Sequence, residues 1–188
     1  MGPLAEIVCS IWEMDTYGPD IGIPASMAYL SSCIGRSTFV RTLVSEGSVV
    51  GCVMARSGDF ALDIGQDLRN YEDPSLSGYE GADKLLSDMT ILDIADVSMK
   101  EEAGVVFDGE LVLLIISEEA QGHGFGTILF RQAEEYFREQ GSESVLIYTD
   151  DDCGFGFYDR LGARCIASRD VCLASENLHM MLYHYIVR

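Results

Sequence analysis

The sequence predicts a mixed α/β fold, in which helices pack against a sheet that contains both parallel and antiparallel strands. Helical and strand patterns alternate through the second half of the 188 residues, as they do in sheets with helical crossovers. The last two strand patterns, 163–168 and 180–187, predict an antiparallel pair. Hydrophobic residues make up 48% of the chain, enough for the core of one domain. We therefore expect a single domain that spans residues 1–188.

The first half of the chain predicts two helices followed by a β-hairpin. Apolar residues recur near helical spacing close to the N-terminus, and Pro24 is a favourable residue for the first turn of a second helix. Two β-branched segments then flank a Glu-Gly pair that suits a tight turn. The expected elements are helices at 4–14 and 24–35 and strands at 38–44 and 48–55, with the turn at Glu46-Gly47.

Residues 58–108 differ from the rest of the chain in charge. They contain thirteen acidic and three basic residues, and so carry about half of the net charge of −19. Two helical patterns are visible, at 61–71 and 81–91, but the segment is too short for much of a core of its own. We interpret it as an acidic, helical insertion that precedes the central strand.

The second half of the chain predicts the centre of the sheet. An apolar strand precedes an amphipathic helix that closes at a glycine, and a second strand precedes a short helix that also ends at a glycine. The two final strands then complete the sheet. The expected order is strand 110–116, helix 125–140 closed by Gly141, strand 144–149, and helix 153–161 closed by Gly162.

Charge and composition disfavour several function classes. A net charge of −19 argues against nucleic-acid partners, because binding to phosphate backbones needs clustered Lys and Arg. The apolar segments are strand-sized, and none approaches the roughly 18 residues of a membrane helix. No basic region precedes an apolar one at the N-terminus, so we expect no secretory signal and a cytoplasmic protein.

The six cysteines are scattered, without a CxxC pair or a Cys/His cluster. Reduced and mostly buried thiols are therefore expected, with no disulfide framework and no metal site. Cys153 opens the predicted short helix, where a helix dipole can lower a thiol pKa. It has no evident His or Asp partner, and we interpret it as a buried or bystander thiol.

The most informative stretch is the glycine-rich turn Gln121-Gly122-His123-Gly124-Phe125-Gly126-Thr127 between a strand and a helix. Glycines at every second position let the backbone approach a ligand closely. The free amides of the helix N-terminus and the helix dipole favour a phosphate or pyrophosphate there. A Rossmann fingerprint is excluded because Thr127 stands where its third glycine is required, and a P-loop is excluded because no lysine is near.

This turn resembles the Q/R-x-x-G-x-G/A pyrophosphate loop of the GNAT acetyltransferases. The strand at 110–117 before it looks like the fourth strand of that family, and Phe-Tyr-Asp-Arg-Leu-Gly-Ala at 157–163 is similar to the family's F-Y-x-x-L-G-F segment. The three motifs follow the family's order over residues 109–166. The resemblance implies a GNAT-like acyl-CoA N-acyltransferase fold with the helical acidic insertion before its central strand.

The resemblance also implies acetyl-CoA as the cosubstrate and identifies residues that hold it. In the family, a bulge in the fourth strand opens a cleft for pantetheine, which implies backbone contacts at Leu114 and Ile116. An amide near Ile116 is implied as the group that polarises the thioester carbonyl. The loop is implied to hold the pyrophosphate, through Gln121, Gly122, His123, Gly124, Phe125, Gly126 and Thr127.

Two side chains are candidates for proton transfer. Tyr158 matches the family tyrosine beside the coenzyme sulfur and is the candidate general acid, with a core tyrosine as the alternative. Glu110 matches the place where some members carry a general base. The alternatives there are an ordinary strand-end carboxylate in solvent, and a chain of waters in place of one fixed base. His123 is expected to direct its side chain to solvent, without a catalytic role.

The sequence departs from the family pattern at two places. The family usually opens with a strand, whereas only residues 1–3 precede the first helical pattern here. The family often has an Asn seven residues before the tyrosine, where this chain has Asp151. A carboxylate accepts a hydrogen bond but cannot donate one as an amide does.

We expect the acceptor to be the primary amine of a small molecule, which attacks acetyl-CoA directly in a ternary complex. Two alternatives stay open, namely a protein N-terminus or lysine as the acceptor, and a module that binds acyl-CoA without catalysis. Asp63 and Asp67 lie on one face of a predicted helix, and an acidic surface there would concentrate cationic acceptors. The insertion could instead be a solvated surface or a contact in a homodimer.

Overall fold

The computed structural model describes residues 1–58, 74–154, 156–174 and 176–188. The described α-helices are α1 (Gly2–Ile11), α2 (Gly22–Arg36), α3 (Ala82–Ala103), α4 (Phe125–Gln140) and α5 (Gly156–Leu161). The described strands are β1 (Phe39–Ser45), β2 (Ser48–Ser57), β3 (Gly109–Ile116), β4 (Ser144–Asp150), β5 (Arg164–Cys172) and β6 (Asn177–Ile186). Short 3₁₀ helices lie at Met14–Tyr17, Pro74–Leu76 and Glu118–Ala120.

The described strands form one sheet in the order β1-β2-β3-β4-β6-β5. Strands β3 and β4 are parallel and the other neighbours are antiparallel, which confirms the predicted mixed sheet. The β1–β2 hairpin turns at Glu46 and Gly47, which have φ values of 52° and 83°. Positive φ at both positions is what a two-residue turn needs to match the twist of its strands.

Helices cover both faces of the sheet. Met54 of β2 packs in a core with α1 and α2, whereas its neighbour Val53 packs in a core with α4. Leu146 of β4 packs in a third core with α3. On β2, Arg56 lies on the same face as Met54, and it pairs with Glu110 of β3, which in turn pairs with Leu146 of β4. Met54 and Leu146 therefore lie on one face of the sheet. Helix α3 therefore lies on the same face as α1 and α2, which we call the α3 face.

Helix α3 belongs to the acidic insertion and is longer than expected. We predicted a helix at 81–91, whereas α3 continues to Ala103 and ends at Gly104 with a left-handed φ of 62°. Its residues Ala95 and Met99 are buried in one core with Leu182 of β6. Packing against the sheet, which local periodicity does not reveal, stabilises the longer helix. The helix predicted at 61–71 lies outside the described residues.

The remaining elements differ from expectation only at their ends. Within the described part of the chain no strand precedes α1, which begins at Gly2. Helix α5 begins at Gly156, three residues later than the predicted 153. The last two strands are longer than predicted, at Arg164–Cys172 and Asn177–Ile186. None of the described helices has the length and apolar character needed to span a membrane.

Candidate functional site

Strands β3 and β4 separate in the middle of the sheet. Their last described pair is Leu111 with Ile147, although β3 continues beside β2 as far as Ile116. In the register with β2, Val112 is left without a partner, so a bulge bends β3 at the point of separation. The result is a cleft with a free backbone edge along β3, as the resemblance implied.

The loop that follows β3 presents a row of backbone amides. Gly122 and Gly124 have left-handed φ values of 77° and 81°, a conformation that disfavours any side chain. The first hydrogen bond of α4 runs from the amide of Ile128 to the carbonyl of Gly124, at 3.2 Å. The amides of residues 125–127 precede that bond and have no partner within the helix. Amides of this kind, together with the helix dipole, favour an anionic group at this end of a helix.

Gly126 has a different role from Gly122 and Gly124. A side-chain carbon built on Gly126 would lie 3.5 Å from the Phe157 ring and 3.9 Å from Leu114. One built on Gly122 or Gly124 would meet no atom within 4 Å. Gly126 therefore allows α4 to pack closely on β3 and α5, whereas the other two glycines shape the loop.

Two side chains of the loop hydrogen bond to nearby carbonyl groups. Nε2 of Gln121 donates to the carbonyl of Ile116 at 3.3 Å, which ties the loop to the end of β3. Nδ1 of His123 lies 2.9 Å from the carbonyl oxygen of Gln121, to which it donates in the tautomer that carries a proton there. The His123 ring is exposed and stacks beside Phe125, with the centroids 6.0 Å apart. The loop residues are thus brought together as one unit at the mouth of the cleft.

Tyr158 lies in the core on the α4 side of the sheet. It is buried in one cluster with Ile116 at the end of β3. Its ring contacts those of Phe157 and Tyr183, with centroids 5.3 Å and 5.8 Å away. Burial raises the pKa of the Tyr158 hydroxyl, and the nearby Cys153 and Asp150 raise it further. The hydroxyl is therefore protonated at neutral pH.

Glu110 is buried and ion-paired. Its side chain is only 2% exposed, so the alternative of a carboxylate in solvent is wrong. Oε1 lies 3.4 Å from Nη1 of Arg36. Oε2 accepts a hydrogen bond of 2.7 Å from Nε of Arg56, and Nη2 of the same arginine also contacts it. Both carboxylate oxygens are thus paired with guanidinium groups, an arrangement that our prediction of a general base did not include.

Cys153 and Asp151 are engaged in local structure. Burial, followed by the charge of Asp150, raises the pKa of Cys153 to about 12, so the thiol is not ionised at neutral pH. Asp151, where the family often has Asn, accepts a hydrogen bond of 2.9 Å from the amide of His179. In the part of the chain that the structure describes, no three His, Cys, Asp or Glu side chains are grouped to hold a metal.

Sequence reasoning missed the polar contacts that α3 makes with other parts of the fold. The hydroxyl of Tyr148 donates to the backbone carbonyl of Asp96 at 2.9 Å. Asp88 is 2% exposed and accepts hydrogen bonds from the Tyr17 hydroxyl and the Ala174 amide, both at 3.0 Å. No motif marks these residues, because acidic side chains in a predicted helix ordinarily indicate a solvated face.

Comparisons with known proteins agree in family and in fold. The family model described as "Acetyltransferase (GNAT) family" matches residues 10–163. A GNAT-family protein from Desulfovibrio desulfuricans has a TM-score of 0.55 at 10% identity, over 98% of this chain and 92% of its own. An aminoglycoside 6'-N-acetyltransferase in complex with coenzyme A has a TM-score of 0.58 at 12% identity, over 99% and 89%.

An agmatine N-acetyltransferase has a TM-score of 0.58 at 15% identity, over 98% of this chain and 87% of its own. At these identities the likeness shows a shared fold. No protein of curated function matches the sequence.

Proposed function

We propose, on the premise that the chain belongs to the acetyltransferase (GNAT) family, that it transfers the acetyl group of acetyl-CoA to the primary amine of a small molecule. The observation that carries this proposal is the separation of β3 and β4 after Leu111 and Ile147, beside the glycine-rich loop. A free strand edge that leads to a row of helix amides suits an extended ligand that carries a pyrophosphate.

Backbone groups would hold the coenzyme. The amides between Gly122 and Thr127 would bind the pyrophosphate, and the edge of β3 at Leu114 and Ile116 would bind the pantetheine arm. An amide near Ile116 would donate to the thioester carbonyl and stabilise the oxyanion that develops there. The hydrogen bond from Gln121 to the Ile116 carbonyl supports this arrangement, because it holds the end of β3 against the loop.

The chemistry requires an unprotonated amine and a proton for the leaving thiolate. The amine nitrogen attacks the thioester carbon, the C–N bond forms, the nitrogen gives up a proton to solvent, the C–S bond breaks, and the sulfur takes up a proton. Tyr158 is the proposed donor of that proton. Its position in one cluster with Ile116 and its protonated hydroxyl support the role.

A cationic small amine is the favoured acceptor. Two proteins of similar fold are named for an aminoglycoside and for agmatine. In this chain, burial raises the pKa of Glu176, between β5 and β6, and the nearby charges of Asp152 after β4 and Glu13 after α1 raise it further. Acidic groups from three loops therefore lie close together. A negative field of that kind raises the local concentration of cations.

The experiment has a binding arm and a turnover arm. Acetyl-CoA is expected to raise the melting temperature of the full chain by mass action. A panel of small amines, with a basic peptide included, is then assayed by release of free coenzyme A thiol and by detection of the acetylated product. Turnover of the peptide alone would instead favour a protein acceptor. Binding without turnover of any amine would contradict the proposed transferase activity.

A further inference from the structure

Helix α3 packs on the α3 face of the sheet, mainly over β5 and β6, and reaches β4 next to the place where β3 and β4 separate. Tyr148 directly follows Ile147, the last residue of β4 that pairs with β3. The Tyr148 hydroxyl donates to the carbonyl of Asp96 in α3 at 2.9 Å. Ala95 and Met99, on either side of Asp96 along the helix, are buried in a core with strand β4. Asp96 is therefore anchored beside the opening of the cleft.

One carboxylate oxygen of Asp96 has an unusual environment. Its Oδ1 atom is buried and has no hydrogen-bond partner among the described residues. A buried carboxylate oxygen without a partner costs free energy, and such atoms in native proteins call for an explanation. A bound ligand that donates hydrogen bonds would satisfy it, and a primary ammonium group has three N–H donors.

Four charged groups from four elements act electrostatically on Asp96. They are Asp93 on α3, Glu110 on β3, Arg36 on α2 and Asp150 on β4. Burial raises the pKa of Asp96 well above its ordinary value, and the charges of Asp93 and Glu110 raise it further. A carboxylate with a raised pKa is a better proton acceptor than an ordinary one.

Glu110 and Asp96 differ in the partners of their carboxylate oxygens. Both oxygens of Glu110 are paired with guanidinium groups, at Arg36 and Arg56. In contrast, the Oδ1 atom of Asp96 has no described partner. Of Glu110 and Asp96, Asp96 is the one with a carboxylate oxygen that lacks a described partner, which the ammonium of an acceptor would satisfy.

We propose that Asp96 is a catalytic residue, whose carboxylate receives the ammonium group of the acceptor on the α3 face of the cleft and removes its proton. The inference rests on the proposed acetyltransferase function. The ammonium loses one proton to Asp96, and the neutral amine attacks the thioester carbon. A second proton leaves the nitrogen for solvent as the C–S bond breaks, the thiolate gains one from Tyr158, and Tyr158 then regains a proton from solvent. Asp96 returns its proton to solvent after the products leave.

The test compares Asp96→Asn with Asp83→Asn in the full chain. Asp83 is an exposed residue in the first turn of the same helix, so the control removes the same charge from the surface. The acceptors are the most active primary amine of the panel and its less basic fluorinated analogue. For the basic amine we expect Asp96→Asn to lower kcat/KM by about 10²-fold. Acetyl-CoA affinity should stay at the parent value, and Asp83→Asn should match the parent throughout.

The less basic amine tests whether Asp96 accepts a proton or has only a structural role. A larger share of it is already neutral, so the loss caused by Asp96→Asn should be smaller, and the loss for both amines should shrink as pH rises. Asp96→Glu, which keeps a carboxylate, should retain more activity than Asp96→Asn. An unchanged kcat/KM, or an equal loss for both amines together with weaker acetyl-CoA binding, overturns the role of Asp96. A parent enzyme that acetylates no amine overturns the proposed function itself, and this inference with it.

Discussion

Nε of Arg56 donates a hydrogen bond of 2.7 Å to Oε2 of Glu110, the residue directly opposite it in the pairing of β2 with β3. The pair lies on the α3 face, just before β3 bends at Val112. Arg36, at the end of α2, contributes a second cation at 3.4 Å. The three side chains link helix α2 to the central strands at the base of the cleft, which is a structural role for Glu110 distinct from the general-base role that the resemblance implied.

Replacement of Glu110 distinguishes these two roles. We expect Glu110→Gln to lower the free energy of unfolding by about 3 kcal/mol, because two partly buried guanidinium groups lose their anionic partner. Urea unfolding measures that loss, and Glu135→Gln, an exposed change on α4, is the matched control. If the variant were as stable as the parent and had lost kcat selectively, Glu110 would be the general base that the family resemblance suggested.

The glycines of the loop should respond differently to substitution. Gly124→Ala places a side chain at a φ of 81°, which costs about 1 kcal/mol and distorts the row of amides. We expect acetyl-CoA to bind at least about 10-fold more weakly to this variant. Gly104→Ala is the control, because it carries a similar strain at a φ of 62° in the loop after α3. Calorimetric titration of both variants should show weaker binding for Gly124→Ala alone.

At Gly126 the size of the side chain should decide the outcome. Alanine fits there, since its carbon would make ordinary contacts with Phe157 at 3.5 Å, whereas leucine would push α4 away from α5. Gly126→Ala should bind acetyl-CoA like the parent, and Gly126→Leu should bind it poorly. Equal affinities for all three proteins would show that the coenzyme binds elsewhere.

Removal of the Tyr158 hydroxyl tests the proposed proton donor. Tyr158→Phe keeps the ring that packs on Phe157 and Tyr183. We expect kcat to fall by roughly 10²-fold where proton transfer limits the rate, with coenzyme affinity nearly unchanged. Tyr183→Phe, in the same cluster, is the control. A parent-like kcat for Tyr158→Phe, on an acceptor for which chemistry is rate-limiting, would remove this residue from the mechanism.

The order of elements after the insertion could be predicted because local patterns determine it. The bounds of α4, Phe125–Gln140, match the predicted helix, since a glycine turn begins it and Gly141 ends it. Two features could not be predicted. The partners of Glu110 lie 54 and 74 residues away in sequence, and only the strand register and the docking of α2 bring them together. The length of α3 depends on packing against β4 and β6.

The difference in stability between the Asp96→Asn variant and the parent protein should depend on pH. Burial, followed by Asp93 and Glu110, raises the pKa of Asp96 above its ordinary value of 3.8. Folding therefore favours the protonated carboxyl, whose stabilising contribution is complete below the ordinary pKa and is lost as pH rises through the raised pKa. Asn does not titrate, so the variant should become progressively more stable than the parent toward neutral pH. Urea unfolding from about pH 4 to about pH 8 measures this difference. A difference in the free energy of unfolding that stays constant over this pH range would contradict the prediction.

The acidic groups near the end of β4 should attract cationic acceptors by their field. Asp152 is exposed and lies close enough to Glu176 to raise its pKa, after the larger effect of burial. Salt screens interactions between exposed charges beyond about 8–10 Å at moderate ionic strength. For a cationic amine, kcat/KM should therefore fall as salt increases, whereas a neutral analogue of the same size should change little.

Asp152→Asn should reduce that salt dependence for the cationic amine and lower its kcat/KM at low salt. Glu139→Gln is the matched control, because Glu139 is an exposed carboxylate on α4, on the opposite face of the sheet from α3. Asp63 and Asp67, which we predicted to form an acidic surface, lie outside the described residues and are tested as a second pair of substitutions. Equal salt slopes for the cationic and neutral amines, with no effect of Asp152→Asn, would show that this negative field does not act on the acceptor.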